Sequence, residues 1–202
     1  YNLNGIFTLT DFGDLYMRLS IIFILLFVFP FPSLSADYHG NCSIVFQGSS
    51  TLHDFEGKAS CQPFIVSGKA GVMTVPEVRV AINEMDTDNS KRDVRMREMF
   101  DSETYPLIFG STGQVLVDEV RKALNESTDN TSEIVFQLKI RDIEQPVTAV
   151  LKNVMETGSA IVADLSFALF LPDYQLKPPS FLGLIRVGKD VDVTVSFSLD
   201  AQ

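Results

Sequence analysis

The sequence is poor in the residue types that carry most catalytic and metal chemistry. Its 202 residues include no tryptophan, two cysteines and two histidines. We find no Gly-x-Ser-x-Gly elbow, no His-Glu-x-x-His pair and no glycine-rich phosphate loop. Positive charge is also scarce: 16 Lys and Arg stand against 26 Asp and Glu. Binding to nucleic acid or to anionic membranes relies on clustered Lys and Arg, so neither is an expected partner. We therefore predict no catalytic residues, no metal site and no enzymatic activity.

The longest apolar run is also short. It extends over Ile21–Phe29, whereas a helix needs about 20 apolar residues to cross a bilayer. Met17 and Arg18 precede this run and small residues follow it, which predicts a signal peptide over residues 17–36. We expect residues 1–16 to be an upstream segment absent from the mature protein. Residues 37–202 are then a single periplasmic or secreted domain, without stable membrane insertion after cleavage; an uncleaved N-terminal anchor is the alternative.

Both cysteines follow this segment closely. In an exported chain, Cys42 and Cys61 are expected to form a disulfide. Together with His39 and His53 they also supply four candidate zinc ligands, but the spacing contains no tight ligand pair. His53 precedes Asp54, yet no nucleophile accompanies them, which favours a structural role for this histidine at a strand turn.

Most of the remaining sequence alternates apolar and polar residues with a period of two. The alternation is clear over residues 134–140 and 191–199, and it predicts strands with one buried and one wet face. Further strands are predicted over residues 55–66 and 107–120, and a long polar hairpin loop over residues 119–132. About eight short strands joined by turns predict an all-β, antiparallel, closed or two-layered sheet.

One short helix is predicted at about residues 90–101. Ser90 followed by Asp93 matches a capping box, in which the side chain at the helix start accepts a backbone hydrogen bond. Met96, Met99 and Phe100 then lie on one apolar face. Pro106 prevents continuation of the helix.

The segment around this helix resembles the YceI-like family. The resemblance rests on Met85-Asp-Thr87, Arg92-Asp93 and Tyr105-Pro106 with Ile108 and Phe109 after it. Known members are lipocalin-like barrels that hold long isoprenoid lipids. The resemblance implies an eight-stranded antiparallel barrel and extends from Cys42 to about Leu199, which is most of the expected mature chain.

The resemblance implies a non-enzymatic binding protein that holds a long apolar lipid, such as an isoprenoid quinone or a polyprenyl derivative. A bound isoprenoid lipid is then the only expected non-protein group, and a homodimer is left open. The alternative is a closed-core, stress-related or protein-interaction module without a lipid, since a small barrel either fills with side chains or holds a ligand.

The expected cavity wall follows from strand alternation and from apolar residues at strand and helix ends. Arg92 and Asp93 are interpreted either as contacts to a lipid head group or as a structural salt bridge. The predicted wall residues are Phe46, Phe64, Val80, Ile82, Phe100, Phe109, Phe136, Leu138, Phe167, Phe181, Val195 and Phe197.

Overall fold

The fold is dominated by antiparallel strands, as the alternation predicts. The computed structural model describes residues 35–181 and 185–201. The strands are β1 Ser35–Ser50, β2 Phe55–Ser60, β3 Phe64–Lys69, β4 Val72–Val75, β5 Val78–Ala81, β6 Leu107–Ser111, β7 Gly113–Leu116, β8 Ser132–Ile140, β9 Ile143–Thr157, β10 Ala160–Phe170, β11 Ser180–Phe181 and β12 Ile185–Ala201. The helices are α1 Ser90–Phe100 and α2 Val117–Glu126, with short 3-10 helices at Ile82–Glu84 and Leu171–Tyr174.

The predicted upstream segment and nearly all of the predicted signal peptide lie outside the described residues. Only Ser35 and Ala36 of the predicted signal peptide are described, and both belong to β1.

One sheet contains all twelve strands. Its order is β5-β6-β8-β9-β10-β12-β1-β3-β4-β7, with β2 paired to β1 and β11 paired to β12. Strand β1 is central to this sheet because it pairs with three other strands along its two edges. One edge pairs with β12 from Tyr38 onward, and the other pairs first with β3 and then, from Ser43 onward, with β2.

Backbone hydrogen bonds join β2 to the β5 end of the sheet. Cys61 and Val80 form an antiparallel bridge, and Lys58 exchanges two hydrogen bonds of 2.7 and 2.9 Å with Asp86. The sheet therefore curls round on itself, which confirms the predicted barrel-like, all-β, antiparallel architecture.

The predicted number of eight strands is wrong, because the described residues form twelve. The expected strand over residues 55–66 divides at Cys61-Gln62-Pro63, where proline has no N–H to donate to a sheet. The expected strand over residues 107–120 divides at Thr112 and Gly113. Gly113 has a φ of 67°, a left-handed conformation that glycine adopts without steric cost.

Helix α1 is present where it was predicted, but its cap is one residue earlier. The N-cap is Asn89, whose side chain accepts hydrogen bonds from the backbone N–H groups of Lys91 and Arg92 at 3.1 and 3.2 Å. Ser90 is the first helical residue, and Asp93 bonds outside the helix instead of completing a capping box. The helix ends at Asp101, which adopts a left-handed φ of 53°.

Helix α2 replaces the hairpin loop that was predicted over residues 119–132, so that prediction is wrong. Its apolar residues Val117, Val120 and Leu124 recur at helical spacing, and Leu124 is buried. Lys122 and Glu126 add an ion pair of 3.8 Å one turn apart. The loop prediction gave more weight to the charged and polar residues of this stretch than to its helical period.

The hydrophobic core includes a tyrosine with a buried hydroxyl. Tyr174, in the 3-10 helix after β10, is only 2% exposed. Among the described residues its hydroxyl has no hydrogen-bond partner. Burial, with a smaller contribution from Asp173, raises the pKa of Tyr174 to about 12, because a phenolate is poorly solvated among apolar groups.

Tyr174 should make the protein less stable at alkaline pH. An unfolded tyrosine has a pKa of about 10, so the unfolded chain releases this proton before the folded chain does. The free energy of unfolding should therefore fall as pH rises from about 10 to about 12. Urea unfolding of the wild type and of Tyr174→Phe across this range measures the effect, and we expect a shallower fall in the variant. An equal fall in the free energy of unfolding in both proteins would contradict this prediction.

Candidate functional site

The curled sheet encloses a cavity of about 270 Å³. Its wall is formed by inward-facing residues of β1, β5, β6, β8, β10 and β12, together with α1. Aromatic and branched aliphatic side chains predominate. Within this wall, Phe136 and Phe167 pack edge to face, with ring centroids 5.2 Å apart.

Nine of the predicted wall residues line this cavity. Eight of them belong to β1, β3, β5, β8, β10 and β12, and the ninth belongs to the apolar face of α1. These nine are Phe46, Phe64, Val80, Phe100, Phe136, Leu138, Phe167, Val195 and Phe197.

The other three predicted wall residues do not belong to the described lining. Ile82 is fully buried in the packed core, because β5 ends at Ala81 and the 3-10 helix that follows changes the direction of the side chain. Phe109 lies on the other face of β6 from Ile108 and Gly110, and the Lys139 ammonium is 5.9 Å from its ring centroid. The Phe181 side chain lies outside the described part of the structure.

Several lining residues were not predicted from the sequence. Ile44 lies on the inward face of β1 beside the predicted Phe46, and Ile108 lies on the inward face of β6 beside Gly110. Met85, Met96 and Met99 line it as well. The helical spacing of Met96 and Met99 indicated an apolar face, but it did not reveal what that face would cover.

One end of the cavity, which we call the helix end, is closed by α1 and the residues just before it. Asp93 is 9% exposed and accepts two hydrogen bonds from Thr87: one from its backbone N–H at 3.0 Å and one from its hydroxyl at 2.6 Å. The carboxylate thereby fixes the chain that leads into the helix.

Arg92 bonds to the same threonine from the cavity side. Its Nε donates to the Thr87 hydroxyl oxygen at 3.0 Å, and a terminal nitrogen donates to the Thr87 carbonyl at 3.0 Å. Its guanidinium also lies 4.7 Å from the centroid of the Phe55 ring, a cation–π contact. Within the described residues, Arg92 and Asp93 form no salt bridge with each other; both bond to Thr87 instead.

The predicted disulfide is confirmed. Cys42 and Cys61 are bonded, with Cα atoms 5.3 Å apart, and Cys42 lines the cavity. A disulfide is typical of an oxidising compartment. The described residues contain no group of three or more potential metal ligands, and the two cysteines of the candidate zinc set are bonded to each other.

His53 lies in the turn between β1 and β2. The Ser50 hydroxyl donates to the His53 carbonyl at 2.7 Å and accepts from the His53 backbone N–H at 3.3 Å. The His53 side chain is exposed, and the residue's backbone helps to shape the turn.

A family model described as YceI-like domain matches residues 35–199. The chain belongs to the YceI-like family. The match includes every residue of the cavity wall, so the wall lies entirely within the YceI-like domain.

Solved structures with the same fold agree with this assignment. BcnA of Burkholderia cenocepacia is 12% identical, with a TM-score of 0.57 over 78% of this chain and 95% of its own. A polyisoprenoid binding domain from Saccharophagus degradans is 15% identical, with a TM-score of 0.57 over 84% of this chain and 100% of its own. At these identities the likeness concerns the fold alone. No match was found among curated proteins.

None of the helices within residues 35–181 and 185–201 of this YceI-like protein has the length and apolar character needed to cross a bilayer.

Removal of the Asp93 carboxylate should destabilise the YceI-like domain. Asp93→Ala leaves two Thr87 donors without their acceptor in a buried place, which typically costs about 1–3 kcal/mol. Glu98→Ala, on the exposed face of the same helix, is the matched control and should change stability by less than about 0.5 kcal/mol. Urea unfolding measures both, and equal effects would show that the Asp93–Thr87 contact does not stabilise the fold.

Proposed function

We propose that the protein binds a single apolar lipid with an isoprenoid chain inside the barrel and catalyses no reaction. The observation that carries this proposal is the cavity itself, which is lined almost throughout by apolar side chains. A barrel of this kind that served only as a closed interaction module would have filled its interior with side chains. The similar domain from Saccharophagus degradans is described as polyisoprenoid binding, which supports the ligand class.

The hydrophobic effect supplies the affinity in this proposal. Each 100 Å² of apolar surface that leaves water contributes roughly 2.5 kcal/mol, at about 25 cal/mol per Å². A long chain buries more surface than a short one and binds more tightly until the cavity is full. The volume of about 270 Å³ is slightly below the roughly 300–1,000 Å³ of typical small-molecule sites. The space therefore limits how much of a long chain can be buried.

Arg92 is the proposed contact for a polar head group at the helix end. Two of its hydrogen bonds are made to Thr87, and a guanidinium has five N–H donors in total. The other donors remain for an oxygen of the ligand. A planar guanidinium suits the oxygens of a phosphate or a carbonyl, so an isoprenoid quinone and a polyprenyl derivative are both compatible with this end.

Export to the periplasm or the exterior completes the proposal. The disulfide Cys42–Cys61 supports an oxidising compartment, and the apolar run before Ser35 supports a cleaved signal peptide. A protein in an aqueous compartment between membranes could carry a lipid that water alone does not dissolve.

Native mass spectrometry tests the proposal directly. The full-length protein is expressed with its own N-terminal segment in a host that exports it, and it is purified without detergent. We expect one apolar adduct per chain, and after organic extraction this adduct should have an isoprenoid mass. A bare polypeptide that also takes up no prenyl quinone on titration would overturn the proposal in favour of the closed-core module. The same spectrum gives the mature N-terminus and the oligomeric state.

Filling the cavity should abolish lipid uptake without unfolding the protein. Gly110 lines the cavity, and a Cβ atom there would lie 3.8 Å from the nearest atom of Phe136, an ordinary contact. Gly110→Leu therefore places a side chain where the lipid would lie. We expect affinity for a prenyl quinone to fall about tenfold or more, a loss of about 1.4 kcal/mol.

The matched control for this variant is Val135→Leu, because Val135 is 59% exposed on the outer face of β8. It should bind lipid like the wild type. If Gly110→Leu keeps full affinity while its unfolding midpoint is unchanged, the cavity is not the binding site.

A further inference from the structure

The sheet forms a second concave space, which we call the far cleft. It has a volume of about 560 Å³. The turn between β3 and β4, at residues 70–71, and the turn between β9 and β10, at residues 158–159, line it together with the first turns of α2. Turns lie where strands end, so the far cleft is at an end of the sheet.

Strand β1 shows that this is the end opposite the helix end. Tyr38 lines the far cleft, and Cys42 lines the barrel cavity. Further along the same strand, Gly48 pairs with Phe55, whose ring contacts Arg92. The order along β1 is therefore far cleft, cavity and helix end.

Both spaces lie on the same face of the sheet. Side chains two residues apart in a strand point to the same side. In β12, Phe197 lines the cavity and Ala201, four residues later, lines the far cleft; in β4, Val75 lines the cavity and Met73 lines the far cleft. The far cleft is therefore a continuation of the barrel interior and not a groove on its outer surface.

A thin layer of inward-facing residues separates the two spaces. Four strands contribute one residue each to it: Gly40 in β1, Val66 in β3, Ala163 in β10 and Leu199 in β12. Gly40 and Ala163 are small, and the Phe64 ring covers Gly40 so closely that a Cβ atom there would overlap the ring. One aromatic side chain therefore fills much of this layer.

The far cleft offers apolar surface to a chain that passes this layer. Met73 and Ile161 give its inner wall apolar character. Arg121 of α2 and Glu156 of β9 also line it, and they form an ion pair of 3.0 Å, so these two charges largely offset each other. The far cleft, at about 560 Å³, is about twice as large as the cavity, at about 270 Å³. A chain that reaches it can bury much more of its surface than the cavity allows.

We propose that the far cleft is a second part of the lipid site and receives the end of a chain that is too long for the cavity. The head group lies at Arg92, and the chain runs along the cavity to the separating layer. The Phe64 ring turns away from Gly40 to let the chain pass, and the chain ends between the two hairpin turns. This inference rests on the proposed lipid binding and adds the chain-length specificity of the site.

Prenyl quinones that share one head group and lengthen by one isoprene unit at a time test this inference. An isoprene unit is about as large as a leucine side chain, whose burial changes an equilibrium roughly tenfold or more. Wild-type affinity should therefore rise with each added unit until both spaces are full. Ile161→Trp fills part of the far cleft, so its affinity should stop rising at a shorter chain. Native mass spectrometry of quinone mixtures delivered from cyclodextrin gives the relative affinities.

Met155→Trp is the matched control. Met155 is next to Glu156 in β9 and is 61% exposed, so the variant places the same bulky side chain at the same end of the sheet but outside the barrel. Its dependence on chain length should equal that of the wild type. Ala163→Leu thickens the separating layer and should shorten the preferred chain as Ile161→Trp does, so it provides the comparison if Ile161→Trp is poorly folded. Urea unfolding of each ligand-free variant measures its stability.

A photoreactive diazirine on the last isoprene unit locates the chain end directly. We expect a long quinone of this kind to cross-link the β3–β4 and β9–β10 hairpins of the wild type. A short one should cross-link residues of the cavity wall. Peptide mapping distinguishes the two patterns without any substitution in the protein.

The outcomes distinguish this inference from the proposed function. Wild-type protein that binds none of the quinones overturns both. If the wild type binds them and the folded far-cleft variants stop gaining affinity at the same chain length as the wild type, the inference alone is wrong. An equal loss of affinity at every chain length would also overturn it, as would cross-links of the long quinone that are confined to the cavity wall.

Discussion

The structure depends on the pairing of β1 along both of its edges. A strand inside a sheet usually pairs with two neighbours, one along each edge. Strand β1 pairs with three: β12 along one edge, and β3 and then β2 along the other. The β2 pairing brings Cys61 to Cys42 and lets β2 reach the β5 end of the sheet. The pairing of β1 with β3 extends the sheet to β4 and then to β7. The curl of the sheet, the disulfide and the position of the cavity all follow from this arrangement.

Polar contacts fix the helix end of the apolar cavity. At this end, Thr87 is held by Asp93 and bonded by Arg92, so that its hydrogen-bonding capacity is largely used within the protein. The rest of the cavity surface is almost entirely apolar.

Most of the strand and cavity-wall predictions came from the period-two alternation. In β8 and β12 every second residue is apolar, so the inward face was unambiguous and Phe136, Leu138, Val195 and Phe197 do line the cavity. In β6 the run Leu107-Ile108-Phe109 is apolar on both faces, and only the pairing of Phe109 with Arg79 and Lys139 sets the face on which it lies. Ile82 was misplaced because a strand changes to a 3-10 helix there, and helix α2 was missed because its apolar period is short and rich in charge. The buried Tyr174 hydroxyl, which has no partner among the described residues, is a consequence of packing that no local sequence pattern reveals.

Three methionines on the cavity wall give the helix end a deformable surface. Met85, Met96 and Met99 have unbranched thioether chains that change rotamer readily and fill irregular space. The opposite wall, built from valine and phenylalanine on paired strands, has few such alternatives. A carbon chain kinked by a double bond differs in shape from a saturated chain, and the methionine side chains can adapt to either shape. For the proposed lipid, the barrel would thus combine one surface that fixes the path of the chain with one that tolerates variation in its degree of unsaturation.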